Sequence, residues 1–193
     1  MGKTIALAGF MGCGKSSVGK ELCSLTGASL TDLDLYIERR SGRKIPDIFA
    51  ESGEKGFRAL EKQCLEEVLE TCLKTPGLHI LSLGGGTLTI PSCAGLIRSE
   101  TTCVYLRASV NLLVRNLSGS RIEDRPMLAS PDDDIKKEGF NDEVLRKRIC
   151  SLMSSRSHIY ESVSHIAIDV DGLGFRQTAE RIISLEGLQD YCC

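Results

Sequence analysis

Residues 9–16 read Gly9-Phe10-Met11-Gly12-Cys13-Gly14-Lys15-Ser16, directly after the apolar run Thr4-Ile5-Ala6-Leu7-Ala8 and directly before a helical pattern. Glycines let a backbone curl until successive N–H groups converge, and a helix opening at that point adds positive potential. The place so formed suits phosphate oxygens. Lys15 adds a compact charge for the terminal phosphates, and Ser16 offers a hydroxyl to Mg2+. A glycine-rich turn alone serves any tight bend. The full G-x-x-x-x-G-K-[ST] octet, set between a buried strand and a helix, is a P-loop. A nucleoside triphosphate is therefore expected here, with Gly12, Cys13, Gly14, Lys15, Ser16 and Ser17 around its phosphates.

The rest of the chain repeats the pattern that this loop needs. Short apolar runs recur at residues 78–81, 102–106 and 165–168, with a shorter candidate at 28–31. Runs without a polar face are expected where a strand is buried on both sides. Between them, Phe57, Leu60, Cys64, Val68 and Cys72 recur at helical steps, and the pattern stops before Pro76-Gly77. Further helices are expected over about 15–25, 35–39, 110–117, 142–163 and 177–185. Alternation of this kind predicts an α/β domain, a parallel sheet with helices on both faces. A length of 193 residues suits one domain, 1–193. The stretch 118–139 has little apolar periodicity and contains Pro126, Pro131 and a run of charges. It reads as a solvated loop or, since loops beyond about 12–15 residues in compact domains are often lids, as a lid carrying Arg121 and Arg125. The tail after about residue 188 is expected to fray.

Lys plus Arg is 24 and Asp plus Glu 26, a formal net charge of −2, which leaves no global basic field for nucleic acid or an anionic membrane. No apolar run approaches the roughly 18 residues of a bilayer span. The first strand-like run begins at Lys3, so no signal or transit peptide is expected. Nine cysteines are an odd number without a C-x-x-C pair, and Cys23, Cys64, Cys72, Cys103 and Cys150 fall within apolar patterns. Free thiols in a reducing cytoplasm are the expectation, and a monomer is the default.

Three constellations bear on what is done with the triphosphate. Asp32 and Asp34 end the second strand; in an extended segment their carboxylates share a face, one for the water shell of Mg2+ and one for a substrate hydroxyl. Helix capping by Asp34 is the alternative. Arg58 and Glu61 are helical neighbours, so that Glu61 holds a guanidinium fork for a carboxylate, or the two form a plain surface pair. Gly84, Gly85 and Gly86 follow the third strand and permit close backbone approach to a small ligand, or form a flexible turn. Where many P-loop proteins carry an acid for the metal shell, this chain has Ser82.

Taken together, these stretches resemble the shikimate kinase family. The shared features are G-F-M-G-C-G-K-S, the D-x-D at Asp32 and Asp34, G-E-x-x-F-R-x-x-E from Gly53, and L-S-L-G-G-G from Leu81. Asp124-Arg125-Pro126-Met127-Leu128 resembles the lid motif and Arg156 to Tyr160 the late R-x-x-x-Y element, so the match runs in order from about residue 3 to 185. The resemblance implies ATP-dependent phosphorylation of the 3-hydroxyl of shikimate. It implies a nucleoside-monophosphate-kinase-like P-loop NTPase fold, a five-stranded parallel sheet in the order 2-3-1-4-5 flanked by helices. An acceptor subdomain over about 34–62 and a lid over about 118–139 follow from it.

On the same resemblance, Asp34, Arg58, Gly84, Gly85, Gly86 and Arg156 bind shikimate. Lys15, Asp34 and Arg125 are catalytic, and Arg125 also meets the nucleotide. Ser16 binds Mg2+ directly, Asp32 and Ser82 through water. Residues 129–139 read as an insertion in the lid. The segment 169–175 lacks the family's arginine and proline beside adenine, leaving Arg121 or Arg115 as candidates to stack on the base. The nearest rival is another small-molecule kinase on this scaffold, of gluconate or nucleotide type; a neutral polyol needs no pair such as Arg58 and Arg156. A GTPase switch usually carries N-K-x-D, which is absent from the sequence.

Overall fold

The computed structural model describes residues 2–118, 128 and 141–187. Side chains of β1 (Lys3–Ala8) alternate between two faces of a sheet, and both faces are covered. Ile5 and Leu7 enter one apolar layer with Val18 and Leu22 of α1 (Lys15–Thr26) and Ile182 of α7 (Phe175–Glu186). Ala6 and Ala8 enter the other with Leu65 of α3 (Ile45–Lys74) and Ile97 of α4 (Pro91–Glu100). That two-sided burial is why the strand shows no polar face. The remaining elements are β2 (Ser29–Asp32), α2 (Leu33–Ser41), β3 (Leu78–Ser82), β4 (Thr102–Arg107), α5 (Val110–Leu117), α6 (Asp142–Val163) and β5 (Ile166–Asp169).

All neighbours pair in parallel, in the order β2-β3-β1-β4-β5, as the resemblance implied. Register then sets the site. Ser82 pairs with Leu7 on one side and with Asp32 on the other, so three strands end side by side at their carboxyl edge. The loop after β1, the start of α2 and the turn after β3 all leave from that edge, where open α/β sheets place their ligands.

Several local expectations change. The apolar period begins at Phe57, yet α3 starts at Ile45 and passes through Gly53 at φ 65, ψ −177, a kink that separates two helical stretches. Helix α4 has no counterpart in the expected elements: only Cys93 and Ile97 of its ten residues are buried, too few to show a period. Cys64, Cys72, Cys93 and Cys103 are buried free thiols, but Cys150 is exposed, off the α6 stripe that buries Leu145 and Ile149. The lid expectation, with Arg121, Arg125 and residues 129–139, lies outside the described residues, as does the tail; within 118–139 only Ser118 and Leu128 are described, and Leu128 is buried.

Candidate active site

The phosphate loop is shaped by backbone. Gly14 sits at φ 99, ψ 14, a left-handed conformation, and a Cβ there would lie 2.9 Å from the Phe175 ring. Only glycine meets both demands without strain. Lys15 opens α1, is largely buried, and donates from Nζ to the carbonyls of Gly9 at 2.9 Å and Phe10 at 3.1 Å. Its ammonium is thus held across the loop. Asn116 Nδ2 donates to the Gly12 carbonyl at 2.9 Å and fastens the loop to the end of α5. Nothing in the spacing of the sequence marks Asn116, because the contact spans two distant elements.

Ser16, Asp32 and Ser82 are brought together as expected. Ser16 Oγ donates to Asp32 Oδ2 at 2.5 Å and lies 3.4 Å from Ser82 Oγ. Two hydroxyls and one carboxylate are hard oxygen donors of the kind that suits Mg2+ with part of its water shell. The geometry of the D-x-D is corrected, however. β2 ends at Asp32, whose carboxylate accepts from the Leu35 N–H at 3.3 Å and caps α2. Asp34 lies one residue inside the helix, so the two acids part: Asp32 turns to the phosphate loop and Asp34 to a neighbouring pocket. Capping falls to Asp32 and not to Asp34.

That pocket, of about 610 Å3, is lined by Asp34, Arg58, Glu61, Arg156 and the Gly84, Gly85 and Gly86 backbone, with Phe49 and Phe57 on one wall. The two rings meet tilted by 33°, with 4.6 Å between centroids. Arg58 Nη1 donates to Glu61 Oε2 at 2.6 Å, and Glu61 is fully buried. The other oxygen of Glu61 accepts from Thr87 Oγ1 at 2.6 Å. A buried carboxylate with a cation on one oxygen and a hydroxyl on the other is fixed in place. Arg58 and Glu61 are therefore no surface pair. Thr87 carried no signal in the sequence beyond following three glycines.

Arg156 comes from α6, is 5% exposed, and donates from Nη1 to the Gly85 carbonyl at 3.3 Å. The Tyr160 hydroxyl donates to the same carbonyl at 2.5 Å, and its guanidinium neighbour sits 5.9 Å from the centre of the Phe10 ring. Two of the three glycines are also crowded by the protein's own side chains. A Cβ at Gly86 would lie 2.2 Å from Arg58 Nη2, and one at Gly84 would lie 2.8 Å from Asp34 Oδ1 and from Glu61 Oε1. Charged groups of the protein thus crowd the turn at Gly84 and Gly86, whereas a Cβ at Gly85 would lie 3.2 Å from the Met11 backbone nitrogen.

Burial, and next the charge of Asp32, push the Asp34 carboxyl up to about 6, against the pull of Lys15. Such a group is ionised at neutral pH yet a better proton acceptor than an ordinary carboxylate. Lys15 and Arg58 both act on its charge, and it shares the pocket wall with Arg58 and Arg156. Arg115, on α5, is exposed.

Comparison with known proteins agrees with this arrangement. The sequence model of the family described as shikimate kinase matches residues 11–186. The shikimate kinase of Chlorobium chlorochromatii is 38% identical over 178 residues, 92% of this chain and 87% of that protein. That of Mycobacterium ulcerans is 38% identical over 171 residues, 89% of this chain and 82% of its own length. Among solved structures, Acinetobacter baumannii shikimate kinase in complex with shikimate is similar at a TM-score of 0.80 and 28% identity, covering 96% of this chain and 93% of that one.

Proposed function

The chain belongs to the shikimate kinase family and uses ATP to phosphorylate shikimate; on that premise we propose that the reaction runs in the pocket beside the phosphate loop, on the residues gathered there. Arg58 and Arg156 receive the substrate carboxylate, the backbone of Gly84, Gly85 and Gly86 lines the ring, and Asp34 accepts a hydrogen bond from the 3-hydroxyl. One observation carries this reading. Groups from α2, α3, the turn after β3 and α6 converge on one cavity that Met11 of the phosphate loop also lines, and the Lys15 charge acts on Asp34 in its wall.

The 3-oxygen attacks the γ-phosphorus of ATP, the new O–P bond forms as the bond to the β–γ bridging oxygen breaks, and ADP leaves. Asp34 orients the hydroxyl and takes its proton, which gives shikimate 3-phosphate. Lys15, together with the lid residue Arg125, stabilises charge on the phosphoryl group in flight. Ser16, with Asp32 and Ser82 through water, would hold Mg2+, which neutralises charge on the triphosphate. Glu61 and Thr87 keep the Arg58 fork aimed at the substrate.

Residues 34–62 form the acceptor subdomain in this reading, and 118–139 the lid that excludes water. The protein acts as a cytoplasmic monomer without nucleic-acid or membrane partners; among the described residues no helix is long and apolar enough to cross a membrane. The test is ADP release in a coupled assay with ATP and Mg2+. Turnover that requires shikimate, and is absent with gluconate or CMP, is expected. Turnover with either of those instead would overturn the assignment.

A further inference from the structure

Arg58 is claimed by two acids of its own helix. Of its five N–H donors, Glu61 takes one on Nη1 at 2.6 Å, and Glu54 Oε1 takes one on Nε at 3.4 Å and one on Nη2 at 3.3 Å. One N–H remains on each terminal nitrogen. An acid group placed there becomes the third carboxylate on a single guanidinium. The two resident acids differ in what holds them. Glu61 is buried and tied to Thr87, whereas the Glu54 side chain is 54% exposed.

The backbone supplies Glu54 with a second resting place. Gly53, at φ 65, breaks α3, so Glu54 opens the second helical stretch. A carboxylate in a first helical turn is stabilised by the free N–H groups there after it has let go of a cation. The pocket wall itself has no surplus of positive charge: Lys44, Arg58 and Arg156 face Asp34, Glu38 and Glu61. Glu54 tips that balance against an anion.

We propose that Glu54 is an internal competitor for Arg58, one that weakens the pocket's hold on the substrate's acid group. This rests on the reading that Arg58 receives that group. Substrate and product carry the same carboxylate, so a competitor that loosens both raises KM and also speeds release of product.

The test is calorimetric titration of shikimate and of its uncharged methyl ester into the wild-type chain, Glu54→Gln and Glu54→Ala, with steady-state kinetics alongside. Wild-type protein is expected to bind the acid well ahead of the ester. Both variants are expected to bind shikimate about two- to five-fold more tightly, as for loss of a half-exposed ion pair, with the ester unchanged and the gain read in KM and not in kcat. Weaker or unaltered shikimate binding in variants that melt like wild type would show that Glu54 steadies Arg58 or is inert, and would sink the proposal while the pocket reading stands. A wild-type protein that binds acid and ester alike would mean that Arg58 does not take the acid group, and both readings would fall.

Discussion

In the proposed reading, the groups among the described residues that meet phosphate at the nucleotide end come from one unbroken stretch, 9–17, and most of them are backbone. At the pocket proposed for the acceptor, Asp34, Arg58, Gly84, Gly85, Gly86 and Arg156 come from four separate places, and all but the glycines present side chains. The first kind of site is set by φ and ψ, so its constraint falls on glycine. The second is set by which side chains are held and by what: Thr87 and Arg58 on Glu61, Tyr160 and Arg156 on the Gly85 carbonyl. A backbone site is hard to retune without breaking it. A side-chain site changes one residue at a time, which is why one scaffold can serve many acceptors.

If the two ends are separate in this way, damage to each should stay at that end. Arg58→Ala removes the partner of the substrate carboxylate and strands the buried Glu61. We expect KM for shikimate to rise about a hundred-fold with KM for ATP nearly constant. Stability should fall by about 3–5 kcal/mol, because the buried Glu61 carboxyl loses its cation. Adding Glu61→Gln should restore the melting temperature but not substrate binding. Equal losses for ATP and shikimate would break the comparison.

Gly14→Ala makes the converse, smaller cut. A left-handed φ of 99 and a Cβ 2.9 Å from Phe175 should cost about 1–2 kcal/mol, seen as weaker ATP binding with shikimate affinity intact. A shift in shikimate affinity as large as that for ATP would show that the loop and the pocket move as one.

The same contrast explains what the sequence disclosed. Strand β1 and the loop after it are local features, so their pattern and their chemistry are contiguous and readable. Sheet order and pocket membership are not local, and they were reached by resemblance across the ordered stretches. Distance in sequence hides Thr87 and Asn116, whose partners Glu61 and Gly12 lie on other elements. The D-x-D misleads by one step, since nothing in Asp32-Leu33-Asp34 marks that the strand stops at the first acid. The kink at Gly53 conceals the first stretch of α3, where only Ile48 is buried, and α4 is too lightly buried to show a period.

Asp34 is the proposed base, and its carboxyl at about 6 reflects the cost of burying it beside Asp32. The folded state holds a proton on Asp34 up to about pH 6, the unfolded state only to about 3.8, so stability falls as pH rises through that window. The loss by pH 8 is about 2–3 kcal/mol, roughly two pK units. The most direct test is Asp34→Asn, with kcat and melting temperature measured at pH 8 and at pH 4. The account predicts that kcat at pH 8 falls at least about a hundred-fold with ATP binding retained, while the variant melts above wild type at pH 8 and close to it at pH 4. Retained kcat, or a variant less stable than wild type at pH 8, would contradict it.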